Sequence, residues 1–445
     1  MARSGIAAVK LLSLRGAQVI VNDSKTIDKF ADGLAELKLP GVEFRLGEDP
    51  TTLLEGCDAL IISPGVPVGV PVVVKAKEMG IEVMGELEYA YRESKGRLMA
   101  ITGTNGKTTT TTLLSEIFKD AGDTVYTVGN IGNPYTGEVP AMQDGHVTVC
   151  EVSSFQLETV KEFHPEVSAV LNISEDHLNR HGDMDTYIAM KKRVFANSCD
   201  GDSVVLNWDD PVTREMANDV KCNVVWFSTN EKVPYGAFVD DGMMVYGSKN
   251  SYVPVCPAAD LQIPGRHNLA NALAATAMAM AAGVSAESIC KTLRRFQSVE
   301  HRIEFTREVS GVKFYNDSKG TNVDSTIQAV RAMDRPTVLI AGGSDKHSDF
   351  TAMVEEIKLS RIENIVLIGD TAKQIADTLD KCGYAAYEHC GYDFVKAISR
   401  AFELAKDGGS VLLSPACASF DMFKDYEERG REFKRIVKDL EPKML

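Results

Sequence analysis

The sequence has no C-x-x-C pair among its nine cysteines. An odd number of scattered cysteines predicts neither a disulfide framework nor a zinc site, so we expect reduced thiols in the core. No apolar run is long enough to cross a bilayer, and the opening residues Met1-Ala-Arg-Ser-Gly5 do not have the pattern of a signal peptide. We therefore expect a cytoplasmic protein that has no membrane partner.

Positive charge is also scarce, because 48 lysines and arginines stand against 63 aspartates and glutamates, a formal net charge of −15. This balance argues against a nucleic-acid partner. The 445 residues, 44% of them hydrophobic, are typical of a globular protein and too many for one core. We expect a monomer of several α/β domains, in which cations are concentrated locally if the substrates are anions.

The stretch Gly103-Thr-Asn-Gly-Lys-Thr-Thr109 organises the centre of the chain. It follows the apolar run Leu98-Met-Ala-Ile101 and precedes apolar residues at helical spacing, which predicts a turn between a strand and a helix. Its glycines let backbone N–H groups approach a phosphate, Lys107 can reach the outer phosphates, and Thr108 or Thr109 can bind magnesium. A strict P-loop has glycine where this chain has Ile101, so a glycine turn with a surface lysine stays the alternative.

Two later strands deliver further candidate ligands. A buried strand from His146 to Val152 carries Glu151, and a strand that starts at Val167 leads to His177. A carboxylate on a core strand is rarely placed there for packing and can hold magnesium beside a phosphate loop, with a structural salt bridge as the alternative. A lone histidine is more often structural than a metal ligand. The next helix, with Asp185 as its expected N-cap, carries Lys191, which would ordinarily be solvated.

The first segment resembles part of a nucleotide-binding βαβ unit. A helix is predicted from Gly5 to Leu14 and a strand from Ala17 to Asp23, but the strand and the glycine-rich turn that should precede the helix are missing. We interpret Arg3, Ser4 and Gly5 as the remnant of that turn. With so little of the glycine pattern present, an NAD site is a weak prediction. The turn Ser63-Pro-Gly-Val-Pro67 is either a ligand loop at a strand end or a simple chain reversal.

The rest of the central segment changes character after Val224, where short strands and an Asp-Gly hairpin predict a small β excursion. A helix is then predicted from Leu269 to Ala282. Asn268 and Asn271 share one face at its start, where an asparagine amide could pair with the edge of adenine. Helix capping is the alternative for Asn268.

The last segment alternates strands and helices and predicts a second doubly wound sheet. Three polar loops stand at its predicted strand ends, and loops at the carboxyl edge of one sheet should meet. We expect them to form an anion site from Lys319, Thr321, Lys346 and Ser419.

Taken in order, these stretches resemble the Mur ligases of peptidoglycan synthesis over nearly the whole chain. The motifs that carry the resemblance are Gly103-Thr-Asn-Gly-Lys-Thr, Glu151-Val-Ser-Ser-Phe-Gln-Leu-Glu158, Glu175-Asp-His177, Gly265-Arg-His-Asn268, His301-Arg302 and Asn316-Asp-Ser-Lys-Gly-Thr321. The resemblance implies an α/β fold of three domains: a Rossmann-like domain for the uridine nucleotide (1–93), a central P-loop ATPase with a mostly parallel sheet (94–296), and a doubly wound domain that closes over the amino acid (297–445).

The resemblance also implies the site residues and two magnesium ions. ATP phosphates would lie on Gly103, Thr104, Asn105, Gly106, Lys107, Thr108 and Thr109, with the rest of the nucleotide on Asn268, Asn271, Arg302 and Asp317. The metal ligands would be Thr108, Glu151, His177 and Lys191, the last as a carbamylated lysine. Catalysis would rest on Lys107, Glu151, His177, Lys191 and Lys319.

The C-terminal motifs Leu413-Ser-Pro-Ala-Cys-Ala-Ser419 and Glu428-Arg-Gly-Arg-Glu-Phe433 are similar to those of the members that add D-glutamate. This implies ATP-dependent ligation of D-glutamate to UDP-N-acetylmuramoyl-L-alanine through an acyl phosphate. The implied substrate contacts are Ser4, Ser24, Lys25, Asn130, Thr321, Lys346, Ser419 and Tyr426. Tyr426 departs from the family, which has phenylalanine there, and its added hydroxyl should be tolerated.

Three other functions compete with this prediction. One is another amide ligase of this type, acting with L-alanine, a diamino acid, a dipeptide or folylpolyglutamate. A second is a nucleotide-binding protein that is inactive because its first strand is missing, although Lys107, Glu151 and His177 are all present. A third, a regulatory GTPase, lacks the guanine-reading Asn-Lys-x-Asp sequence.

Overall fold

The computed structural model describes residues 3–25, 37–131, 133–263, 265–297, 300–344 and 348–442. The chain folds as two compact units, which we call the first unit (Met1–Asp260 and Ala270–Arg294) and the second unit (Leu261–Leu269 and Arg295–Leu445). The predicted boundary between residues 93 and 94 falls inside the first unit. The three-domain boundaries therefore stay a prediction.

The first unit begins with short parallel strand pairs. Its opening elements are α1(Arg3–Leu14), β1(Val19–Val21), β2(Val42–Phe44), β3(Ala59–Ile62), α2(Pro71–Glu78), β4(Glu82–Gly85) and α3(Glu86–Glu93). Strand β1 pairs with β2, and β3 pairs with β4, each in a separate two-stranded parallel sheet. The predicted α/β character of this segment is confirmed, and its described strands form two small sheets.

A nine-stranded sheet forms the centre of the first unit. Its strands are β5(Arg97–Thr102), β6(Val125–Gly129), β7(Val147–Glu151), β8(Val167–Val170), β9(Ser203–Asn207), β10(Asn223–Ser228), β11(Tyr235–Asp240), β12(Met243–Ser248) and β13(Ser251–Pro257). They lie in the order β13-β12-β11-β10-β9-β8-β5-β7-β6. Strands β7 and β8 are buried at every residue, as expected for parallel strands covered on both faces.

The helices between residues 107 and 295 are α4(Lys107–Asp120), α5(Tyr135–Glu138), α6(Ser154–Leu157), α7(Leu178–His181), α8(Met184–Lys192), α9(Pro211–Met216), α10(Arg266–Ala281) and α11(Ala286–Arg295). Two helix starts correct the sequence prediction. Asp183, not Asp185, caps α8, because its carboxylate accepts from the Thr186 N–H. Helix α10 starts at Arg266 instead of Leu269, so Asn268 lies in its first turn and is not the cap.

The β excursion is confirmed. Strands β11 and β12 pair antiparallel, with Asp240 opposite Met243. Between them Asp241 and Gly242 have φ of +46° and +73°, the left-handed pair that a tight two-residue turn requires. Asp-Gly tolerates this conformation, and the local sequence therefore predicted the turn correctly.

The second unit contains β14(Glu304–Val309), β15(Val312–Asn316), α12(Val323–Arg331), β16(Thr337–Gly342), α13(Thr351–Leu359), β17(Ile362–Ile368), α14(Ala372–Lys381), β18(Tyr387–Gly391), α15(Phe394–Leu404), β19(Ser410–Leu413) and α16(Tyr426–Asp439). The sheet order is β14-β15-β19-β16-β17-β18, and only the edge pair β14–β15 is antiparallel among the described strands. Separate apolar clusters cover its two faces, which confirms the doubly wound prediction. Edge strand β18 was not predicted, because Tyr387-Glu-His-Cys-Gly391 has little apolar character. Among the described helices, none combines the length and apolarity needed to cross a membrane.

Candidate active site

The predicted phosphate loop lies between β5 and α4. Gly103 and Gly106 have φ of +142° and +83°, conformations that favour glycine. A Cβ on Gly106 would also lie 2.2 Å from Asn271 Oδ1, so the loop has no room for a side chain there. Helix α4 starts at the next residue, Lys107. The loop therefore presents a helix N-terminus and close backbone, as an anion site requires.

Lys107 folds back over this loop. Its ammonium donates to the carbonyl oxygens of Gly103 at 2.9 Å and Thr104 at 2.7 Å. The Thr104 hydroxyl in turn lies 3.1 Å from both the Ser174 carbonyl oxygen and the Tyr187 hydroxyl. The cation is thus held on the loop itself, beside the backbone that would cradle a phosphate.

Asn172 fixes the loop from the neighbouring strand. Its side-chain oxygen accepts from the Asn105 N–H at 2.8 Å, its amide donates to the Asn105 carbonyl at 3.0 Å, and its own carbonyl accepts from the Thr104 N–H at 2.9 Å. Sequence analysis missed this residue. Its position just beyond β8, which pairs with β5, was the signal that could have identified it.

Glu151 ends strand β7 and is 1% exposed. Its Oε1 accepts from the Asn130 amide at 2.8 Å, whereas its buried Oε2 has no hydrogen-bond partner among the described residues. A buried carboxylate oxygen without a partner costs free energy unless a cation or donor meets it. Asn130 is exposed, and its N–H also donates to the Glu151 carbonyl at 2.9 Å, so it can face a ligand while it orients the carboxylate.

Lys191 is buried, with 2% of its surface exposed. Its ammonium donates to the Gly103 carbonyl at 2.8 Å and to the Thr102 hydroxyl at 3.2 Å, and lies 5.2 Å from the centre of the Tyr187 ring. Burial, reinforced by the charge of Lys107, holds the pKa of Lys191 well below its usual range. The structure thus overturns the expectation of a solvated lysine and places this side chain against the phosphate loop.

Two histidines in the segment after β8, the predicted His177 and its neighbour His181, differ in exposure. His177 has a left-handed backbone, φ +56°, and its half-exposed ring packs 4.8 Å from the Phe155 ring, with Asp176 Oδ2 at 3.5 Å. His181 is buried and lies 3.0 Å from the Ser154 hydroxyl. Burial lowers the pKa of His181, although the charge of Glu158 opposes the shift. His177 is therefore the more accessible of the two, and its role as a metal ligand stays a prediction.

Two candidates of the second unit, Asp317 and Arg302, lie next to the edge pair of strands in its sheet. Asp317 directly follows β15, and Arg302 stands two residues before β14. Asp317 is 2% exposed and accepts from the Ser414 hydroxyl at 2.7 Å and the Ile303 N–H at 3.2 Å. Burial raises the pKa of Asp317 to about 6, against the lowering effect of Arg302. Arg302 has a buried Nε without a hydrogen-bond partner in the described ranges. A buried acid and an incompletely bonded guanidinium are suited to a polar, charged ligand.

The predicted meeting of strand-end loops is observed. The Asp317 N–H donates to the Leu413 carbonyl at 2.7 Å, and the Ala416 N–H donates to the Gly320 carbonyl at 2.9 Å. Ser344 pairs with Ala418 in an isolated bridge. The Lys319 ammonium lies 5.5 Å from the Tyr426 ring centre.

Of the other residues predicted for this anion site, Ser419 is buried and Thr321 is partly exposed, both on these loops. Lys346 lies outside the described residues, so its prediction is not tested by the structure.

Arg429 joins two of these loops from helix α16. It is 1% exposed and donates to the carbonyls of Ser318 at 2.8 Å, Cys417 at 3.2 Å and Ala418 at 3.2 Å. Burial lowers the pKa of Arg429 to about 10, so it stays charged at neutral pH. Its role was not predicted, because a single arginine in a charged helix gives no sign of burial.

The remaining candidates are those predicted to contact the uridine nucleotide and the adenine of ATP. Ser4 is in the first turn of α1, and Ser24 and Lys25 are exposed after β1, with the Lys25 N–H bonded to Asp23 at 2.9 Å. Asn268 is 3% exposed and its N–H donates to the Gly265 carbonyl at 3.0 Å. Asn271 instead lies against the phosphate loop, 3.4 Å from the Thr110 hydroxyl.

Comparison with known proteins identifies the family to which this chain belongs. Three family models match successive segments: the Mur ligase MurD-like N-terminal domain over residues 1–85, the Mur ligase middle domain over 101–279, and the Mur ligase glutamate ligase domain over 301–417. The chain is 47% identical over 438 residues to the UDP-N-acetylmuramoylalanine–D-glutamate ligase of Thermoanaerobacter pseudethanolicus, covering 98% of this chain and 96% of that one. The chain belongs to the Mur ligase family.

Another relative agrees with this assignment, and two solved structures share the fold. The Clostridioides difficile protein of the same description is 42% identical to this Mur ligase, with 99% and 97% of the chains covered. A pseudomurein peptide ligase type C from Methanothermus fervidus superposes with a TM-score of 0.61 at 19% identity, covering 98% and 97%. A Thermotoga maritima MurF ligase in complex with ADP gives 0.62 at 16% identity, covering 94% and 95%. At these identities the structures support the fold alone.

A Mur ligase acts with ATP and magnesium, and residues of the first unit fit both. The space around Gly106 is too tight for a Cβ yet leaves the loop backbone next to a helix N-terminus. The buried Glu151 Oε2 and Thr109 hydroxyl oxygens have no hydrogen-bond partners among the described residues. Carboxylate and hydroxyl oxygens are the ligands that magnesium prefers. The donor set thus matches a nucleotide with its metal.

Proposed function

We propose that this Mur ligase joins D-glutamate to UDP-N-acetylmuramoyl-L-alanine at the expense of ATP, a step of peptidoglycan precursor synthesis. The observation that carries the proposal concerns Glu151, whose buried Oε2 has no hydrogen-bond partner among the described residues. The same unit places two lysines on a glycine-rich phosphate loop. The printed descriptions of relatives 42–47% identical over nearly the whole chain support the choice of substrates. Because the substrates are nucleotides, we place the enzyme in the cytoplasm.

The reaction needs an activated carboxylate. An oxygen of the alanyl carboxylate attacks the γ-phosphorus of ATP, the bond to the β-phosphate oxygen breaks, and an acyl phosphate and ADP form. The amine of D-glutamate then attacks the acyl carbon and loses a proton, and inorganic phosphate leaves. Negative charge builds up on the phosphoryl oxygens, so positioned cations lower the barrier.

The residues of the first unit supply that positive field. The loop from Gly103 to Thr109 binds the phosphates through backbone N–H groups, and Lys107 neutralises the outer ones. We assign Thr108, Glu151, His177 and Lys191 as the ligands of two magnesium ions, which would polarise the phosphoryl oxygens when bound. Asn130 holds the carboxylate of Glu151 in orientation and presents the rest of its surface to the sugar-linked substrate.

Lys191 becomes a metal ligand only as a carbamate. Its depressed pKa makes the neutral amine accessible, and a neutral amine attacks CO₂, forming an N–C bond and releasing a proton. We expect protein equilibrated with ¹³C-labelled bicarbonate to show one carbamate carbon signal by ¹³C NMR, and the Lys191→Arg variant to lack it. Lys192→Arg, a change at the exposed neighbour paired with Asp219, is the control and should keep the signal. A signal that persists in Lys191→Arg would contradict the assignment.

The second unit binds the amino acid in this proposal. D-glutamate carries two carboxylates, and the strand-end loops offer Lys319, Thr321 and Ser419, with Lys346 and Tyr426 as further contacts. We assign Asp317, Arg302 and Asn268 to the ribose, phosphate and adenine of ATP, with Asn271 of the first unit as a second adenine contact. Ser4, Ser24 and Lys25 are assigned to the uridine nucleotide.

Arg429 should position the loops that bind D-glutamate. Arg429→Met removes a donor from three buried carbonyls, of which that of Ala418 still accepts from the Ser344 N–H. Each buried carbonyl that is left unpaired costs about 1–3 kcal/mol. We expect the KM for D-glutamate to rise at least about tenfold, a loss of roughly 1.4 kcal/mol, while the KM for UDP-N-acetylmuramoyl-L-alanine stays within about twofold. Steady-state kinetics of phosphate release measures both.

The matched control is Arg431→Met on the same helix, because Arg431 is exposed and paired only loosely with Glu427 at 3.7 Å. Arg429→Lys keeps the charge and should recover part of the affinity if the full deletion unfolds the second unit. Equal increases in both KM values would argue that Arg429 acts on global stability and not on the D-glutamate loops.

The substrate itself is tested with the unmodified enzyme. It is incubated with UDP-N-acetylmuramoyl-L-alanine, ATP, magnesium and one amino acid at a time, and phosphate release is measured. We expect release with D-glutamate and background release with L-alanine, L-glutamate or a diamino acid. Release with a diamino acid alone would assign a different addition step. No release, together with no binding of the uridine nucleotide by calorimetry, would favour an inactive nucleotide-binding protein.

A further inference from the structure

A second group of ligand-type side chains lies in the first unit, apart from the phosphate loop. His164 is in the segment between α6 and β8, and Cys199 and Asp202 are in the turn that precedes β9. One ligand atom from each residue lies within 4.8 Å of the other two. His164 is partly exposed, Cys199 is exposed, and the Asp202 side chain is 11% exposed. The cluster is therefore accessible from one side.

The arrangement is that of metal ligands rather than of a nucleophile with its base. Asp202 Oδ2 lies 2.6 Å and Cys199 Sγ lies 3.8 Å from the same ring atom, His164 Nε2. In a cysteine–histidine–aspartate triad the thiol and the carboxylate approach opposite ring nitrogens, so that the ring can pass a proton between them. Here both approach one nitrogen. Three donor atoms that lie within 4.8 Å of one another can all be ligands of one cation.

We propose that His164, Cys199 and Asp202 bind a zinc ion. Thiolate, imidazole and carboxylate together are a donor set typical of zinc, whereas magnesium prefers oxygen alone. Zinc bonds of about 2.0–2.3 Å place tetrahedral ligand atoms about 3.4–3.6 Å apart. The Cys199–His164 separation is already close to this spacing. The His164–Asp202 contact must widen by about 0.8 Å, which a small rotation of the partly exposed imidazole supplies.

The backbone around the cluster is already organised. The Cys199 N–H donates to Asp202 Oδ2 at 2.7 Å, and the Asp202 carbonyl accepts from the Asn223 side-chain amide at 3.0 Å. The Asn197 amide donates to the carbonyls of Lys161 at 2.8 Å and Phe163 at 3.0 Å, and so fastens the segment that carries His164 to the segment that carries Cys199. Because these ligands are already held in position, little conformational entropy is lost when a metal binds.

This site is independent of the ligase reaction proposed above. It has three protein ligands, and the exposure of Cys199 leaves a fourth position for water or an external ligand. Because an ion would tie two segments of the first unit together and bind only the folded chain, zinc should raise the thermal stability of the enzyme. His164 and Cys199 are 35 residues apart in the sequence, so the spacing of the cysteines did not predict this zinc site.

Cobalt titration of the tag-free, chelator-treated enzyme tests the proposal. Co²⁺ in such a site gives tetrahedral d–d bands and a thiolate charge-transfer band in the near ultraviolet. We expect one equivalent to produce both and Zn²⁺ to displace it. Cys199→Ser should abolish the charge-transfer band, and His164→Gln should raise the Kd about tenfold or more. The magnesium ligands lack a thiolate, so they cannot produce this band even if they bind cobalt.

The control variant is Cys57→Ser, because Cys57 lies elsewhere in the first unit and its thiol donates to the Leu53 carbonyl at 3.2 Å. This variant should keep the cobalt spectrum and the rise in melting temperature with zinc. Absence of a thiolate band in the unmodified protein, or its persistence in Cys199→Ser, would overturn the proposal. Since phosphate release with D-glutamate is measured separately without zinc, failure of either proposal leaves the other intact.

Discussion

Replacement of Lys107 by alanine should lower kcat/KM for ATP about a thousandfold, in line with the loss of one preorganised charge from a phosphoryl-transfer site. The ammonium already lies on the loop, held by the carbonyls of Gly103 and Thr104, so little reorganisation is needed when phosphates bind. Removing it leaves the developing negative charge on the phosphoryl oxygens uncompensated. Phosphate release under saturating D-glutamate measures the effect.

The control for this experiment is Lys119→Ala on the same helix. Lys119 is exposed in the last turn of α4 and paired with Glu116 at 3.0 Å, a surface ion pair that contributes about 1 kcal/mol or less. Its removal should leave kcat/KM within about twofold of the unmodified enzyme. A loss smaller than about tenfold in Lys107→Ala would mean that the loop does not bind the transferred phosphoryl group.

Replacement of Glu151 by glutamine should lower kcat about 100-fold to 1,000-fold and raise the magnesium concentration needed for half-maximal rate. The amide keeps the shape and one oxygen, but it removes the negative charge and places N–H donors where the unmodified chain has an unpaired oxygen. A metal ion then loses its anionic ligand. Magnesium titrations at saturating ATP separate a weakened metal site from lost catalysis.

The Glu151 experiment needs a control variant and a test of folding. Glu215→Gln, at an exposed position of α9, is the control and should change neither kcat nor the magnesium requirement. Thermal unfolding followed by the fluorescence of Trp208 and Trp226 in the same unit checks folding. Because the buried charge of Glu151 has an unsatisfied oxygen, its neutralisation should not lower the melting temperature. A folded variant with full activity at low magnesium would exclude Glu151 from the metal site.

Local sequence predicted the parts of this molecule that depend on neighbours along the chain. The glycine loop before α4 and the Asp-Gly hairpin were predicted correctly because backbone conformation is set within a few residues. The loops at Asp317 and Ser414 were predicted to meet because parallel strands place their carboxyl ends on one edge. The starts of α8 and α10 were wrong by two to three positions, since several residues in each stretch can serve as a cap.

The burial of individual side chains, and the pKa shifts that burial causes, could not be predicted from the local sequence. The residues around Lys191 are typical of an exposed helix. Packing on the phosphate loop nevertheless buries Lys191 and lowers its pKa. Arg429 stands among charged residues but is enclosed by three carbonyls from distant loops. Neither environment is encoded in the residues next to them, because the partners of Arg429 lie 11 to 111 residues away and those of Lys191 lie 88 and 89 residues away.

By itself, the order of residues determined the α/β class, the phosphate loop and the set of motifs that identify a Mur ligase, since each depends on short-range patterns. Only the folded chain decided that Glu151 Oε2 has no partner among the described residues, which lysine is desolvated, and that ligand atoms of His164, Cys199 and Asp202 lie within 4.8 Å of one another. The physical reason is that burial and desolvation are properties of packed surfaces, and those surfaces are assembled from residues far apart in the chain.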